Sequence, residues 1–324
     1  MPPVLKPGSA MLPRGSIRIN LLLGIPALLL AAAVVAVAAI GSGQFFAAGN
    51  LGNLVNRVLP LALTALGQSF VLFAGRIDLS VGSVISLATA ILATTSDQLG
   101  WFAIVLVLAA GLACGALNAA GVIWLRINPL IMTLATAAIV KGIAMLLLPS
   151  PGGTVDYGFY ELFYGEDLFV GWPLVVIVAV FAFSFVLFGF TRFGRRIYAL
   201  GSDERAAYAN GVDPRRVECS VFLLSGLFSA AAGIAVSIKI LSGDPLIGDS
   251  FTLDAIAAAV LGGVALTGGR GSVPGVLAGS IALVLIANAF NLLEIDPNLQ
   301  QIAKGLIFVV ALMLFMRGAA RRAA

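Results

Sequence analysis

Long apolar runs, separated by short polar or Gly/Pro-rich breaks, dominate the pattern of this chain. A helix needs about 20 mainly apolar residues to cross the hydrocarbon core of a membrane, and about ten runs approach that length. They cover residues 17–40, 51–74, 79–96, 101–125, 128–148, 172–190, 218–240, 253–267, 273–293 and 299–316. The pattern predicts an all-α, polytopic helical membrane protein with about ten transmembrane helices.

Two of these runs look interrupted. The eighth spans only about 15 residues before the Gly-rich stretch 268–271, and the third begins directly at Asp78. Broken helices of this kind line the pathways of transporters. Residues 74–82 and 268–275 also share a faint similarity. An ancestral duplication explains it, and so does a chance likeness between two Gly-rich turns.

Composition excludes an ordinary water-soluble enzyme. Of the 324 residues, 60% are hydrophobic and 10% are charged, and the mean hydropathy is +1.07, whereas soluble domains carry about 25% charged residues. The chain has no histidine, and its two cysteines, Cys114 and Cys219, are far apart in apolar surroundings. We therefore expect no metal site and no cofactor, and we interpret the cysteines as small buried hydrophobic residues.

The distribution of Lys and Arg orients the predicted spans, because basic residues favour the cytoplasmic side. The segment 191–217 carries six arginines, and basic residues also occur in both terminal tails, whereas 149–171 carries four acids and no Lys or Arg. The prediction is a single transmembrane domain over 17–316 between cytoplasmic tails at 1–16 and 317–324. Both termini and 191–217 face the cytoplasm, and 149–171 faces outward.

The segment after the sixth run predicts a short exposed helix. Ser202 or Asp203 can cap it and Gly211 can end it, which leaves about two helical turns. One interpretation is a solvated loop that only sets topology. The other is a docking helix, whose small side chains at Ala206, Ala207 and Ala209 let another surface approach closely.

Uncharged polar residues within the runs have two interpretations. They form interhelical hydrogen bonds worth about 1 kcal/mol each, or they line a hydrated path. The candidates for such a path are Asn53, Gln68, Asn118, Thr133, Asn288 and Asn291. The turn 75–83 places Arg76 and Asp78 at a span end, where Asp78 either caps the third helix or contacts a solute.

Two absences from the sequence narrow the possible energy sources. No pair of Asp or Glu residues lies within a run as a proton relay would require. No G-x-x-x-x-G-K-[ST] motif occurs either, so any ATP that drives transport must bind to another chain.

Three ordered motifs resemble the permease subunits of bacterial ribose/xylose-type sugar ABC importers. They are Gly75-Arg76-Ile77-Asp78-Leu79-Ser80-Val81-Gly82-Ser83, Gly194 to Gly201 followed by Glu204, Ala206 and Gly211, and Leu253 to Gly263. The resemblance covers about residues 50–316. Arg76 stands where that family usually has glycine, and Tyr208 and Asn210 stand where a basic residue and a serine are expected.

The resemblance implies a non-enzymatic, multi-pass subunit of the inner membrane that forms the path for a neutral sugar such as ribose or xylose. Its implied partners are a cytoplasmic ABC ATPase with tandem nucleotide-binding domains, a periplasmic sugar-binding protein, a second permease chain and membrane lipid, with no nucleic acid. The implied ATPase-coupling residues are Gly201, Asp203, Glu204, Arg205, Ala206, Ala207, Tyr208 and Gly211, and the implied structural-motif residues are Asp78, Ser80, Gly82, Asp254, Gly262 and Gly263.

Other functions stay open on the sequence alone. Related permeases carry polyols, nucleosides or autoinducer-type sugar derivatives. An ion-coupled secondary transporter would need carboxylates near mid-span, and a channel would need a repeated filter or a ring of like charges. The sequence has no clear instance of either feature.

Overall fold

The structure is a computed structural model that describes residues 25–41, 43–165 and 171–320. The predicted tail 1–16, the start of the first predicted span at 17–24 and residues 321–324 lie outside the described residues. Within the described residues, the β-type pairing is one isolated antiparallel bridge between Gly152 and Gly243, and the rest is helix, turn or loop. The all-α prediction is confirmed.

The described part of the chain forms thirteen α-helices. They are α1 (Ile25–Gly41), α2 (Ala48–Phe73), α3 (Val81–Leu99), α4 (Trp101–Ile123), α5 (Pro129–Leu147), α6 (Tyr157–Tyr164), α7 (Gly171–Phe190), α8 (Arg192–Ser202), α9 (Glu204–Ala209), α10 (Pro214–Ile240), α11 (Asp249–Leu261), α12 (Val273–Leu292) and α13 (Pro297–Ala320).

Ten of these described helices, all but α6, α8 and α9, overlap the ten predicted spans. Among the described residues, six are long and apolar enough to cross a membrane: α2, α4, α5, α7, α10 and α12. The total of ten spans and the cytoplasmic location of the termini therefore stay predictions. The hydroxyl-rich helix α3 falls outside the six, and its side chains at Ser83, Ser86 and Thr89 are buried within the bundle.

The centre of the bundle is built on close contact between small residues. The long helix α10 packs against α2, α3 and α4. A Cβ atom added to Gly226 would overlap the carbonyl oxygen of Gly111, and one added to Gly115 would overlap the carbonyl oxygen of Phe222. Only glycine allows the backbones of α4 and α10 to approach this closely. Helices α5 and α7 lie outside this core and expose large apolar side chains.

The segment between α7 and α10 contains two helices where the sequence predicted one. The additional helix, α8, buries Ile197 and Leu200 on one face, and Thr191 accepts a hydrogen bond from the N–H of Phe193 at its start (3.2 Å). The predicted short helix is α9. Of the two proposed caps, Asp203 takes the role: its carboxylate accepts from the N–H of Ala206 (3.0 Å).

The helix α11 is shorter than the predicted eighth span and begins next to α3. The chain that leaves α10 runs back along α3: the N–H of Asp244 donates to Thr89 Oγ1 (3.2 Å), and the N–H of Gly248 donates to Ser86 Oγ (3.0 Å). The 13 residues of α11 give it a length of about 20 Å. It ends at Gly262, and the next residue, Gly263, has a φ of +85° that suits glycine.

Candidate functional site

Arg76 connects three elements at the end of the bundle that carries α8 and α9. Its Nη2 donates to Glu204 Oε2 (2.8 Å) and to Glu218 Oε1 (2.7 Å), and its Nε donates to Glu218 Oε1 (2.9 Å). Glu204 begins α9 and Glu218 lies in the first turns of α10. One guanidinium therefore joins the loop before α3, the short helix α9 and the central helix α10. We call these three residues the Arg76 bridge.

The burial and partners of the Arg76 bridge make it more than a surface contact. Partial burial lowers the pKa of Arg76, but the hydrogen bonds to Glu204 and Glu218 and their negative charges outweigh this effect, so the pKa stays above its ordinary value. The side chain of Glu218 is 10% exposed, whereas that of Glu204 is 53% exposed. The contact with α10 is thus sheltered, and the contact with α9 is open to water.

Two residues further on, Asp78 is enclosed by neutral hydrogen-bond donors. Its Oδ1 accepts from the N–H (2.8 Å) and hydroxyl (2.6 Å) of Ser80, and its Oδ2 accepts from the hydroxyl of Ser225 (2.8 Å). Asn118 donates to Ser80 (2.8 Å) and more distantly to Asp78 (3.5 Å). Burial raises the pKa of Asp78, and these hydrogen bonds partly offset the rise.

The predicted cap role of Asp78 takes a different form. Ser80 is the cap residue of α3 and makes no capping side-chain bond there, while Asp78 accepts from the N–H of Ser80 just before the helix. With Ser225 and Asn118, Asp78 therefore joins the start of α3 to α10 and α4, as an internal anchor.

Three glycines hold α8 against the same end of the bundle. A Cβ atom at Gly201 would overlap the carbonyl oxygen of Phe73, and one at Gly268 would lie 2.6 Å from the Cα of Gly75. The N–H of Gly269 also donates to the carbonyl of Phe73 (3.0 Å). Gly201, predicted as a coupling residue, is thus a packing residue within this chain. Residues 74–82 and 268–275 are the two Gly-rich turns whose faint similarity suggested a duplication. These two turns are in contact here.

The predicted coupling residues of α9 divide between an exposed and a buried face. Glu204, Arg205, Ala206 and Tyr208 are exposed, with Tyr208 at 70%, whereas Ala207 is 5% exposed. Ala206 can therefore meet another protein, but Ala207 packs against its own chain. Gly211 has a φ of +81°, and a Cβ atom added there would meet no other described residue within 4 Å, so the glycine serves the turn that ends the segment.

A cavity of about 960 Å³ opens beside α9. Glu204, Arg205 and Tyr208 line one side, and the start of α10 with Arg126 lines the other. Arg126 follows α4 with a φ of +56°. Because acidic and basic side chains alternate around the cavity, its chemistry suits a charged protein surface better than an apolar ligand.

The six predicted path residues do not form one group. Asn118 and Thr133 lie near Asp78, with Thr133 Oγ1 accepting from the N–H of Leu79 (3.1 Å). Asn288 pairs with Asn50 (2.8 and 3.3 Å), and Asn291 accepts from Gln300 (3.1 Å). The remaining two are Asn53, which is exposed, and Gln68, which is fully buried. The amide oxygen and nitrogen of Gln68 have no hydrogen-bond partner among the described residues.

The remaining motif residues lie around α11. A Cβ atom at Gly82 would overlap the carbonyl oxygen of Gly248, and one at Gly262 would overlap that of Gly275. Asp254 pairs with Lys304 of α13 (2.9 Å). Among the described residues, no three His, Cys, Asp or Glu side chains are grouped as a metal site.

Sequence reasoning missed the partners of Arg76 and Asp78. A signal for Glu218 was present: it is an acid within the first turns of an otherwise apolar run, and an acid in that position needs a partner. Ser225 gave no such signal, because the same run contains several serines at which hydroxyls commonly bond to their own helix.

Comparison with known proteins agrees with the motifs. The sequence pattern of the family described as the permease component of branched-chain amino acid transport systems matches residues 50–312. The ribose import permease protein RbsC of Bacillus subtilis (strain 168) is 36% identical over 82% of this chain and 84% of that protein. RbsC of Escherichia coli (strain K12) is 33% identical over 87% of this chain and 90% of its own length.

A further relative is the L-arabinose transport system permease protein AraH of Escherichia coli (strain K12), which is 35% identical over 82% of this chain and 81% of that protein. The family match covers most of the chain, and these relatives align along most of their own lengths. The resemblance seen in the three motifs is confirmed: the chain belongs to this family of transport-system permeases, as a membrane component of an ABC importer.

Proposed function

We propose that this chain forms the translocation path of an ATP-driven, binding-protein-dependent importer of a pentose-type sugar. The names of the relatives support a sugar, since they are ribose and L-arabinose permeases, although the family description names branched-chain amino acids. In this proposal, two permease chains span the inner membrane, a periplasmic binding protein delivers the sugar, and a separate cytoplasmic ATPase supplies the energy.

Uptake by the reconstituted system tests this proposal. Vesicles that contain the chain, its ATPase and its binding protein are expected to accumulate ribose or arabinose only when ATP is present on the side of the membrane that carries the ATPase. Leucine is tested as the alternative solute, because the family description names branched-chain amino acids. Accumulation by the chain alone, driven by a proton or sodium gradient, would refute an ATP-driven importer.

The observation that carries the mechanism is the Arg76 bridge. Glu204 lies on the exposed helix α9 and Glu218 in the central helix α10, and both accept from the same guanidinium. We place the ATPase against α9 and the neighbouring cavity. A displacement of α9 by the ATPase would then pull on Arg76, and through the loop 74–80 on the buried Asp78 anchor at the start of α3.

Two variants with the same Glu→Gln change test this route. Glu204→Gln removes the charge that links α9 to Arg76 and leaves the Arg76–Glu218 contact intact. Because the Glu204 contact is open to water, we expect a loss of about 1 kcal/mol in coupling, or about fivefold in uptake per ATP hydrolysed. Glu161→Gln, the same change at an exposed glutamate of α6, is the control and is expected to keep parental coupling. Equal coupling in both variants would exclude the Arg76 bridge from the route.

The proposed orientation has ten spans and cytoplasmic termini, with α6 outside and α9 inside. A cysteine in place of the exposed Gly158 should react with an impermeant thiol reagent from the periplasm, and one in place of Ser202 only from the cytoplasm. Reaction from the opposite side at either position would show that the span count is wrong.

A further inference from the structure

Two ion pairs lie within helices at the surface of the bundle. Lys141 Nζ is 2.6 Å from Asp249 Oδ2, and Lys304 Nζ is 2.9 Å from Asp254 Oδ2. Lys141 lies about 18 Å along the apolar helix α5 from its first residue, at 1.5 Å per residue. Both acids belong to α11, whereas each lysine comes from a different peripheral helix. Lys141 therefore lies well inside a helix that is long and apolar enough to cross a membrane, and its partner Asp249 is the first residue of α11.

The exposure of these side chains conflicts with a lipid environment. Lys141 and Asp249 are 38% and 52% exposed, and Lys304 and Asp254 are 26% and 24% exposed. Ionised groups within the hydrocarbon core cost about 2.5 to 3.5 kcal/mol or more each unless they face a protein interior or water. Helix α7 provides the contrast, because it has no ionisable residue and exposes Val178 and Phe183.

The position at which α11 begins also favours a surface that faces the solute path and not lipid. It begins against α3, where the buried Gly248 lies next to Gly82 and donates its N–H to Ser86 Oγ, so these contacts fix the start of the helix. Short helices that begin at membrane depth are found where transporters contact their solute. Between the two acids, Leu253 is 67% exposed, so this part of α11 presents an open surface.

A cavity continues from this surface into the bundle. It measures about 320 Å³. Its polar lining comes from Asp254 and Lys304, with Asn56 and Arg57 of α2 and Lys239 of α10, and the rest of its wall is apolar. Sites for small molecules begin at about 300 Å³. The ammonium of Lys239 lies 6.0 Å from the ring centroid of Tyr164, which places one cation of the cavity beside an aromatic ring.

We propose that the α11 strip, defined as residues 249–254 between Lys141 and Lys304, lines the solute path and contacts a hydroxyl-rich solute. Each paired carboxylate keeps further acceptor positions and each ammonium keeps further N–H donors, so hydroxyl groups can bind without breaking the ion pairs. The proposal rests on the proposed function, since it names the face of the permease that the solute meets.

Thiol accessibility in the assembled importer tests the proposal. Leu253→Cys places a thiol in the α11 strip, and Val178→Cys places one on α7 at similar exposure (67% and 59%). The parent chain, with Cys114 and Cys219 in place, gives the background. A thiol in apolar surroundings ionises less readily, so a charged thiol reagent should modify Leu253→Cys at least about tenfold faster than Val178→Cys.

Two further readouts separate this inference from the proposed function. Modification of Leu253→Cys should block ATP-dependent uptake, and saturating ribose or arabinose should slow the modification, whereas Val178→Cys should show neither effect. Labelling requires no transport, so the tenfold difference is readable even if the parent fails to import sugar. Equal labelling of the two cysteines, or cross-linking of Leu253→Cys between two chains without solute protection, would overturn the proposal.

Discussion

Asp78 and Asp249 both stand near the start of a helix, but their surroundings differ. Asp78 is 1% exposed and accepts from Ser80 and Ser225, which are neutral. The side chain of Asp249 is 52% exposed and pairs with Lys141 from another helix. A carboxylate held by neutral donors in the interior fixes the positions of the helices around it. One that is half-exposed beside a cation remains available to a solute. The same residue type thus serves as an anchor in one region and as a contact in the other.

The largest effect is expected from removing the anchor. Asp78→Ala leaves the buried hydroxyls of Ser80 and Ser225 without their acceptor, which should lower the free energy of unfolding by about 3 kcal/mol. Asp78→Asn keeps an acceptor and should cost less. Thermal unfolding of the purified protein in lipid nanodiscs measures both, with the exposed Glu161→Ala as the control. Equal stability of Asp78→Ala and Glu161→Ala would contradict the anchor.

The parent and the Asp78→Asn variant also differ in their expected dependence on pH, because asparagine has no carboxyl group to titrate. Burial raises the pKa of Asp78 in the folded chain, so the folded state binds this proton more tightly than the unfolded state does. Its contribution to stability is complete below the ordinary aspartate pKa of about 3.9 and is lost as the pH rises through the raised value. The free energy of unfolding of Asp78→Asn, measured relative to that of the parent by the same unfolding assay, should therefore increase as the pH rises through this window.

The next largest effect is expected at the glycine contacts of α8. Gly201→Ala drives a methyl group into the carbonyl oxygen of Phe73, so the backbone must shift, at about 1 to 3 kcal/mol. Gly189→Ala is the matched control: it lies in α7 with nothing within 4 Å of its Cβ position, and a helical alanine is favoured there by up to about 1 kcal/mol. The same unfolding assay should give opposite signs, and a neutral Gly201→Ala would refute the close contact.

A smaller effect, on docking, is expected from α9. Ala206→Trp places a large side chain on the exposed face, so it should weaken ATPase binding by about 1 to 3 kcal/mol and leave the fold intact. Ala207→Trp should disrupt the chain itself, because Ala207 is buried. Membrane level and ATPase co-purification distinguish the two. Full co-purification of a normally inserted Ala206→Trp protein would leave α9 as a topology signal only.

The difference between Ala206 and Ala207 shows where sequence reasoning reached its limit. Capping residues located the short helix and gave two candidates for its start, Ser202 and Asp203, because these signals are local. Which alanine faces outward depends on how α9 packs against α10, and the additional helix α8 changes that packing. In the same way, the pattern flagged the eighth run as short. It did not show that Asp249, just before the run, pairs with Lys141 at a separation of 108 positions, or that Asp254 pairs with Lys304 at a separation of 50. Long-range contacts of this kind leave no periodic trace in the sequence.

The smallest effect on stability is expected at the α11 strip, and it sharpens the comparison with Asp78. If Asp249 faces a hydrated path, Lys141→Gln removes a partly exposed ion pair worth about 0 to 1 kcal/mol. If Asp249 faces lipid instead, the same variant leaves an unpaired carboxylate at a cost of about 2.5 kcal/mol or more. We expect the first result, together with reduced uptake, because the solute loses the charged ammonium donor of Lys141 and a neutral amide replaces it. The double variant Lys141→Gln, Asp249→Asn removes both charges and is the matched control for unfolding in lipid nanodiscs. The single variant should match the double variant to within about 1 kcal/mol. A single variant that is less stable than the double variant by several kcal/mol would place Asp249 against lipid and remove the physical difference between the two aspartates.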